Sequence, residues 1–129
     1  YFPYHVCPVH SLQLVAKDDI DYRYKQADRR VLDEAFALRD TADDVLIVRH
    51  GLLTDTSIAN IALWNGCEWH TPAQPLLAGT QRRYLLDTGQ IKETDIPVAS
   101  LGNYRHIRLF NALIPFGEVE LPVGQIRMY

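Results

Sequence analysis

Short apolar runs, broken every few positions by Asp, Gly, Asn or Pro, dominate the chain, and most alternate as strands do rather than repeating at helical spacing. Residues 11–16 alternate and are β-prone, and Asp18-Asp19 closes them before Ile20-Asp21-Tyr22. Residues 45–48 form a β-branched run that His50-Gly51 turns, and residues 58–64 continue as the next strand up to Asn65-Gly66. Asn-Gly is the strongest hairpin signal in the chain, so residues 67–70 are read as the returning strand, closed by Thr71-Pro72. Residues 107–110 and 119–123 read as late strands around residues 111–117, a loop kept irregular by Pro115 and Gly117.

Two stretches change period. Across residues 25–38, Val31, Leu32, Ala35 and Leu38 recur at three- and four-residue spacings, with Arg29, Arg30, Asp33 and Glu34 on the other side. Residues 80–88 follow Pro75 and Gly79 and are stopped by Gly89, a second helix with its C-terminal signal in place. Asp95-Ile96-Pro97 punctuates the next link. Several strands with two helices predict an α+β domain on a curved mixed sheet with flanking helices, not a doubly wound parallel sheet.

Bulk composition narrows the classes. With 129 residues, 14.8 kDa and 47% hydrophobic content, the chain is of ordinary single-domain size and can bury a real core. A net charge of -3 and a pI near 5.9, with dispersed basic residues, imply neither a nucleic-acid nor a membrane partner. No apolar stretch approaches the roughly 20 residues of a bilayer span, so a soluble protein is expected. Two cysteines do not make a secreted disulfide framework and favour the cytoplasm. The chain opens at Tyr1 rather than Met, which suggests a piece of a longer polypeptide.

The candidate chemistry lies in four ordered segments. Lys25 stands at a helix entry beside Tyr22 and Tyr24, where an ammonium loses water and its proton more easily; taken alone it is an ordinary solvated charge. Asp55 begins Asp55-Thr-Ser-Ile-Ala-Asn60 after the Gly51 turn, and with Thr54, Thr56 and Ser57 it could equally make turn hydrogen bonds. Gly79-Thr80-Gln81-Arg82 opens a helix, where backbone amides favour an anion, although a threonine cap is common in any protein. Asn111-Ala112-Leu113-Ile114-Pro115 forms the late loop, which could have structural value alone.

In this order and spacing, over residues 11–123, the segments resemble the large domain of the class IV aminotransferase family, the fold type IV enzymes of pyridoxal 5'-phosphate (PLP). The resemblance implies a D-amino acid aminotransferase-like fold, with Lys25 as the Schiff-base lysine and Asp55 in place of a usual glutamate that pairs with the pyridine nitrogen. It also implies Thr80 and Gln81 at the phosphate, with Asn111 and the amide of Ala112 completing the cup. Asn60 is read as bracing its strand, and Arg82 as pointing outward. Asn111-Ala-Leu-Ile-Pro115 is similar to the stretch found in aminodeoxychorismate lyases of the family, which favours a lyase over an aminotransferase of D-amino or branched-chain amino acids. By the same resemblance the chain is a C-terminal PLP-binding domain of a homodimer acting on a small amino-acid-like substrate. The family's small N-terminal domain, which supplies an arginine to the phosphate, is expected to lie outside residues 1–129.

Two other classes remain in view. Asp55 for glutamate, and no candidate for that arginine before Arg23, would permit a non-catalytic module that kept the fold. Cys7-Pro-Val-His10 and Cys67-Glu-Trp-His70 both read Cys-x-x-His and could make a tetrahedral zinc site, but residues 67–70 read as strand, whose alternate side chains face opposite ways, so no metal is expected. No Gly-x-Ser-x-Gly elbow, phosphate-binding Walker loop, dinucleotide fingerprint or His-Glu-x-x-His helix is present.

Overall fold

A computed structural model describes residues 9–16, 36–38, 42–57, 59–75 and 79–127. Its strands divide between two mixed sheets, an α+β arrangement as expected, with one sheet ordered β3-β2-β1-β9 and the other β6-β5-β4-β7-β8. In the first, β1 (Leu12–Ala16) runs parallel to β2 (Asp44–Arg49) and to β9 (Ile126–Arg127). The short β3 (Leu52–Leu53) returns antiparallel to β2. Arg49 pairs with Leu52 across His50 and Gly51, whose φ angles of 52° and 78° make the two-residue turn that matches strand twist.

The second sheet holds β4 (Asn60–Trp64), β5 (Trp69–Pro72), β6 (Lys92–Thr94), β7 (His106–Phe110) and β8 (Val119–Pro122). The Asn65-Gly66 hairpin is present, but its returning strand starts at Trp69 and takes in Thr71-Pro72 rather than ending before them: Leu63 pairs with His70, and the Asn65 side-chain oxygen accepts the N–H groups of Cys67 (2.8 Å) and Glu68 (2.9 Å), which keeps these two residues in the turn. β4, which begins at Asn60, does not continue the strand that leaves His50-Gly51. That strand is β3, and the chain then crosses to the other sheet before β4 begins.

Alternation along β4 explains the layers. Ile61 and Leu63 point into a core shared by both sheets, with Leu12, Leu14, Leu46, Val48, Leu53, Ile107, Leu109 and Leu121, while Ala62 faces outward. On that outer face helix α1 (Thr80–Asp87) lies with Leu85 against Ala62, Ile91 and Phe110. Val45 and Ile47 are fully buried on the other face of β2, as a strand with parallel pairing requires. The end of α1 follows from Gly89: the N–H of Gly89 bonds to Leu86 O (3.1 Å) and that of Gln90 to Leu85 O (2.9 Å), closing the last turn.

Short elements escaped the hydrophobic pattern. β6 is Lys-Glu-Thr, polar because it is an edge, and β9 has one buried side chain, Ile126. Two 3-10 helices, Val98–Asn103 and Val123–Gln125, likewise have no periodic signal. Of the helix expected over residues 25–38, Phe36 and Ala37 are helical and Leu38 is a turn; residues 25–35 lie outside the described residues.

Candidate functional site

Where the chain crosses between sheets it carries a run of buried polar side chains. Ile47 of β2 accepts from the Thr54 N–H (2.9 Å) and donates to the Asp55 carbonyl (2.8 Å), so one residue faces two and the edge bulges. Thr54 Oγ1 donates to the same Ile47 carbonyl (2.8 Å). Ala59 N–H donates to Thr56 Oγ1 and Thr56 N–H to Ala59 O, both at 3.0 Å. Ser57 Oγ donates to Asp44 Oδ1 (2.8 Å), which also takes the Val45 N–H (2.7 Å). The hydroxyls thus bond within and beside the turn, and Asn60 Nδ2 donates to the Asp55 carboxylate, at its Oδ1, at 3.1 Å.

Asp55 is 0% exposed. A carboxylate there is costly unless partners meet its charge, and the Asn60 amide is one of those partners. A carboxylate favours a cationic or proton-bearing group beside it.

Asn60 also touches the second wall. A Cβ built on Gly79 would lie 2.1 Å from Asn60 Oδ1, so the helix entry presses against this amide and has no room for a side chain. Gly79, not Thr80, is the N-cap of α1; Thr80 is the first helical residue and is exposed. The first N–H groups of the helix, at Thr80, Gln81 and Arg82, have no intrahelical acceptor and point from the positive end of the helix dipole. Asn60 therefore joins the buried carboxylate to an anion-favouring helix start.

Gln81 turns away from that start to the late loop. Its Nε2 donates to the carbonyls of Asn111 and Ile114 (2.8 Å for the latter), and its Oε1 accepts the Phe116 N–H (2.7 Å). Asn111 Oδ1 accepts the N–H groups of Leu113 (2.8 Å) and Ile114 (2.9 Å), shaping the loop from within. Ala112 is exposed at its tip, and among the described residues its N–H has no hydrogen-bond acceptor. Arg82 does not point outward: one of its terminal nitrogens donates to Pro72 O (3.0 Å) and pairs with Glu93 (2.6 Å).

The structure thus brings Asp55, Asn60, Gly79, Thr80, Gln81, Asn111 and Ala112 into one connected region. Lys25 lies outside the described residues, with Asp28 and Arg29. Of the paired Cys-x-x-His motifs, Cys7 also lies outside them, and Cys67 is an exposed free thiol. Both ring nitrogens of His70 are engaged, Nδ1 by the Tyr104 hydroxyl and Nε2 by Glu68, each at 2.8 Å. Among the described residues no group of three or more His, Cys, Asp or Glu could hold a metal.

The family model for amino-transferase class IV matches residues 9–121. The chain belongs to the class IV aminotransferase family. The family member described here is 39% identical to an uncharacterised protein of Haemophilus influenzae over 113 residues, 88% of this chain and 60% of that one. It is 35% identical to a protein of Schizosaccharomyces pombe provisionally named aminodeoxychorismate lyase, over 68% of this chain and 42% of that one. A crystal structure from Haemophilus somnus, provisionally named 4-amino-4-deoxychorismate lyase, superposes with a TM-score of 0.79 at 35% identity, covering 88% of this chain and 58% of its own. The curved α+β fold is that of the fold type IV enzymes, and the chain spans about half the length of the curated relatives it matches. Among the described residues no helix is long and apolar enough to cross a membrane.

Two features of this class IV site were not legible in the sequence. The close packing of Gly79 on Asn60 joins residues 19 positions apart, and Gln81 reaches residues 30 to 35 positions away. Periodicity carries no signal for either. An asparagine following a buried aspartate at five residues, and a glutamine at the second position of a helix, were the only traces.

Proposed function

We propose that this chain is the PLP-binding domain of a lyase that converts 4-amino-4-deoxychorismate to 4-aminobenzoate and pyruvate. The observation that carries the reading is the fully buried Asp55 carboxylate, joined through Asn60 to the start of α1, in a class IV chain whose named relatives include lyases.

The described residues fit the cofactor. Asp55 offers a negative charge for a protonated ring nitrogen, and the N–H groups of α1 with that of Ala112 offer donors for a phosphate dianion. Bound PLP supplies an electron sink, stabilising negative charge that develops on the substrate carbon next to the amine. Asp55 keeps the ring nitrogen protonated, so the sink stays open. Thr80 adds a hydroxyl and Asn111 shapes the loop that presents the Ala112 N–H. Lys25 would hold the cofactor and, through its neutral Nζ, would take the proton from that carbon. The ring C–O bond to the neighbouring enolpyruvyl group then breaks, the departing enolpyruvate takes the proton back from Nζ to become pyruvate, and the aromatic ring left is that of 4-aminobenzoate, so the atoms balance with neither water nor a second substrate.

The phosphate arginine and the substrate contacts are assigned to a separate small N-terminal domain, and the full-length protein to a cytoplasmic homodimer. Membership of the class IV family supports these assignments.

Borohydride reduction of the PLP-treated full-length protein followed by peptide mapping tests the site: the adduct is expected on Lys25, and an adduct elsewhere or none overturns the reading. Incubation with 4-amino-4-deoxychorismate is expected to yield 4-aminobenzoate and pyruvate without a keto acid. A requirement for a keto-acid acceptor would instead make the protein an aminotransferase.

A further inference from the structure

We infer that the Gln81 side chain has a positioning role that assembles the phosphate site: it binds the Asn111–Phe116 loop to the start of α1 and does not itself contact the phosphate. The inference rests on the PLP-site reading above and goes beyond it by taking the Gln81 side chain out of the cofactor's ligands.

A glutamine amide has two N–H donors and one carbonyl acceptor group. Here Nε2 gives its hydrogens to the carbonyls of Asn111 and Ile114, and Oε1 accepts from the Phe116 N–H. Both donors are committed, so none remains for an anion, and the oxygen that could still face one would repel it. The side chain is half-buried, and without it the Phe116 N–H would lose its acceptor, a costly loss, while the carbonyls of Asn111 and Ile114 each keep a backbone donor within the loop.

The carbonyls that Gln81 grips belong to Asn111 and Ile114, on either side of Ala112, whose N–H has no acceptor among the described residues. The other end of the same residue is part of the helix start, and its own N–H is one of those without an intrahelical acceptor. One side chain therefore fixes the distance between the two sets of donors expected to close on one phosphate. The loop has its own bonds, Asn111 Oδ1 to the N–H groups of Leu113 and Ile114, so it keeps its shape without Gln81. What Gln81 adds is its placement against α1.

The test compares PLP with pyridoxal, which has the aldehyde and the ring but no phosphate, on full-length protein. Gln81→Ala and Gln81→Met are each titrated with both compounds by absorbance, and amide hydrogen exchange is followed across residues 111–116 without cofactor. The expected result is a loss of PLP affinity of about ten-fold or more, with pyridoxal affinity unchanged and exchange accelerated at Phe116. Equal losses for both compounds would mean a general structural role and would overturn the inference. An unchanged ratio with unchanged exchange would overturn it too, while a wild-type protein that binds neither compound would sink the PLP reading instead. Gln81→Met keeps the length and packing of the side chain, so the comparison survives if the alanine variant does not fold.

Discussion

At the scale of single residues, the decisive one is Asp55. Its carboxylate is fully buried and accepts from the Asn60 amide, while the hydroxyls of Thr54, Thr56 and Ser57 bond within and beside the turn. Asp55→Asn preserves the size of the side chain and removes its charge. It is expected to lower kcat by about a hundred-fold or more, as removal of a preorganised electrostatic partner does, while the circular dichroism spectrum stays that of the wild type. Activity within a few-fold of wild type would remove Asp55 from the chemistry. The sequence marked Asp55, Thr80, Gln81, Asn111 and Ala112 as candidates because turn and helix-start residues have local signatures. It could not say what each side chain would touch: Gln81 turned to the late loop and Arg82 to Glu93, since those partners come from elsewhere in the chain.

At the scale of elements, the start of α1 is held by contact rather than by a capping side chain. Gly79 sits at φ -75° and ψ 141°, a conformation any residue adopts, so its need to be glycine is steric. An alanine methyl would meet Asn60 Oδ1, and Asn60 cannot swing aside without giving up its bond to Asp55. Gly79→Ala is therefore expected to destabilise the protein by about 1–3 kcal/mol, in the range of overpacked sites. Urea unfolding checks this, and a stability equal to wild type would show that the helix entry is free to move. The strands at residues 11–16, 45–48 and 107–110 were legible because each presents alternating or continuous apolar residues to a shared core. β6 was not, because an edge strand made of Lys-Glu-Thr is defined by its neighbour β5 and buries almost nothing of its own.

At the scale of the whole molecule, pH acts through a surface network on the five-stranded sheet, away from the site. Lys92 Nζ lies 2.7 Å from Glu68, and His70 bridges Glu68 to Tyr104. The hydrogen bond from Lys92, then that from His70, holds the Glu68 carboxyl below its ordinary value of 4.5. A carboxyl lowered by folding stabilises the native state above 4.5, and that contribution is lost as the pH falls through the lower folded value. Burial, then the charge of Glu68, raises the Tyr104 hydroxyl above 10.0, so its contribution is present below 10.0 and is lost as the pH rises through the folded value. Thermal melts of wild type and Glu68→Gln are expected to differ near neutrality and to converge on acidification, the more weakly at high salt. A difference that persists in acid would mean that Glu68 acts by packing.

The same scale separates what the chain determines locally from what the fold decides. Alternation, turn residues and helix signals are properties of neighbours along the backbone, so the sequence alone determined the α+β class, the main strands, α1 with its Gly89 end, and the family. Only the tertiary structure divided the strands into two sheets, placed a buried carboxylate at the crossing and pressed Gly79 onto Asn60. Those outcomes depend on which distant surfaces bury each other, a balance of packing and desolvation that no window of sequence contains.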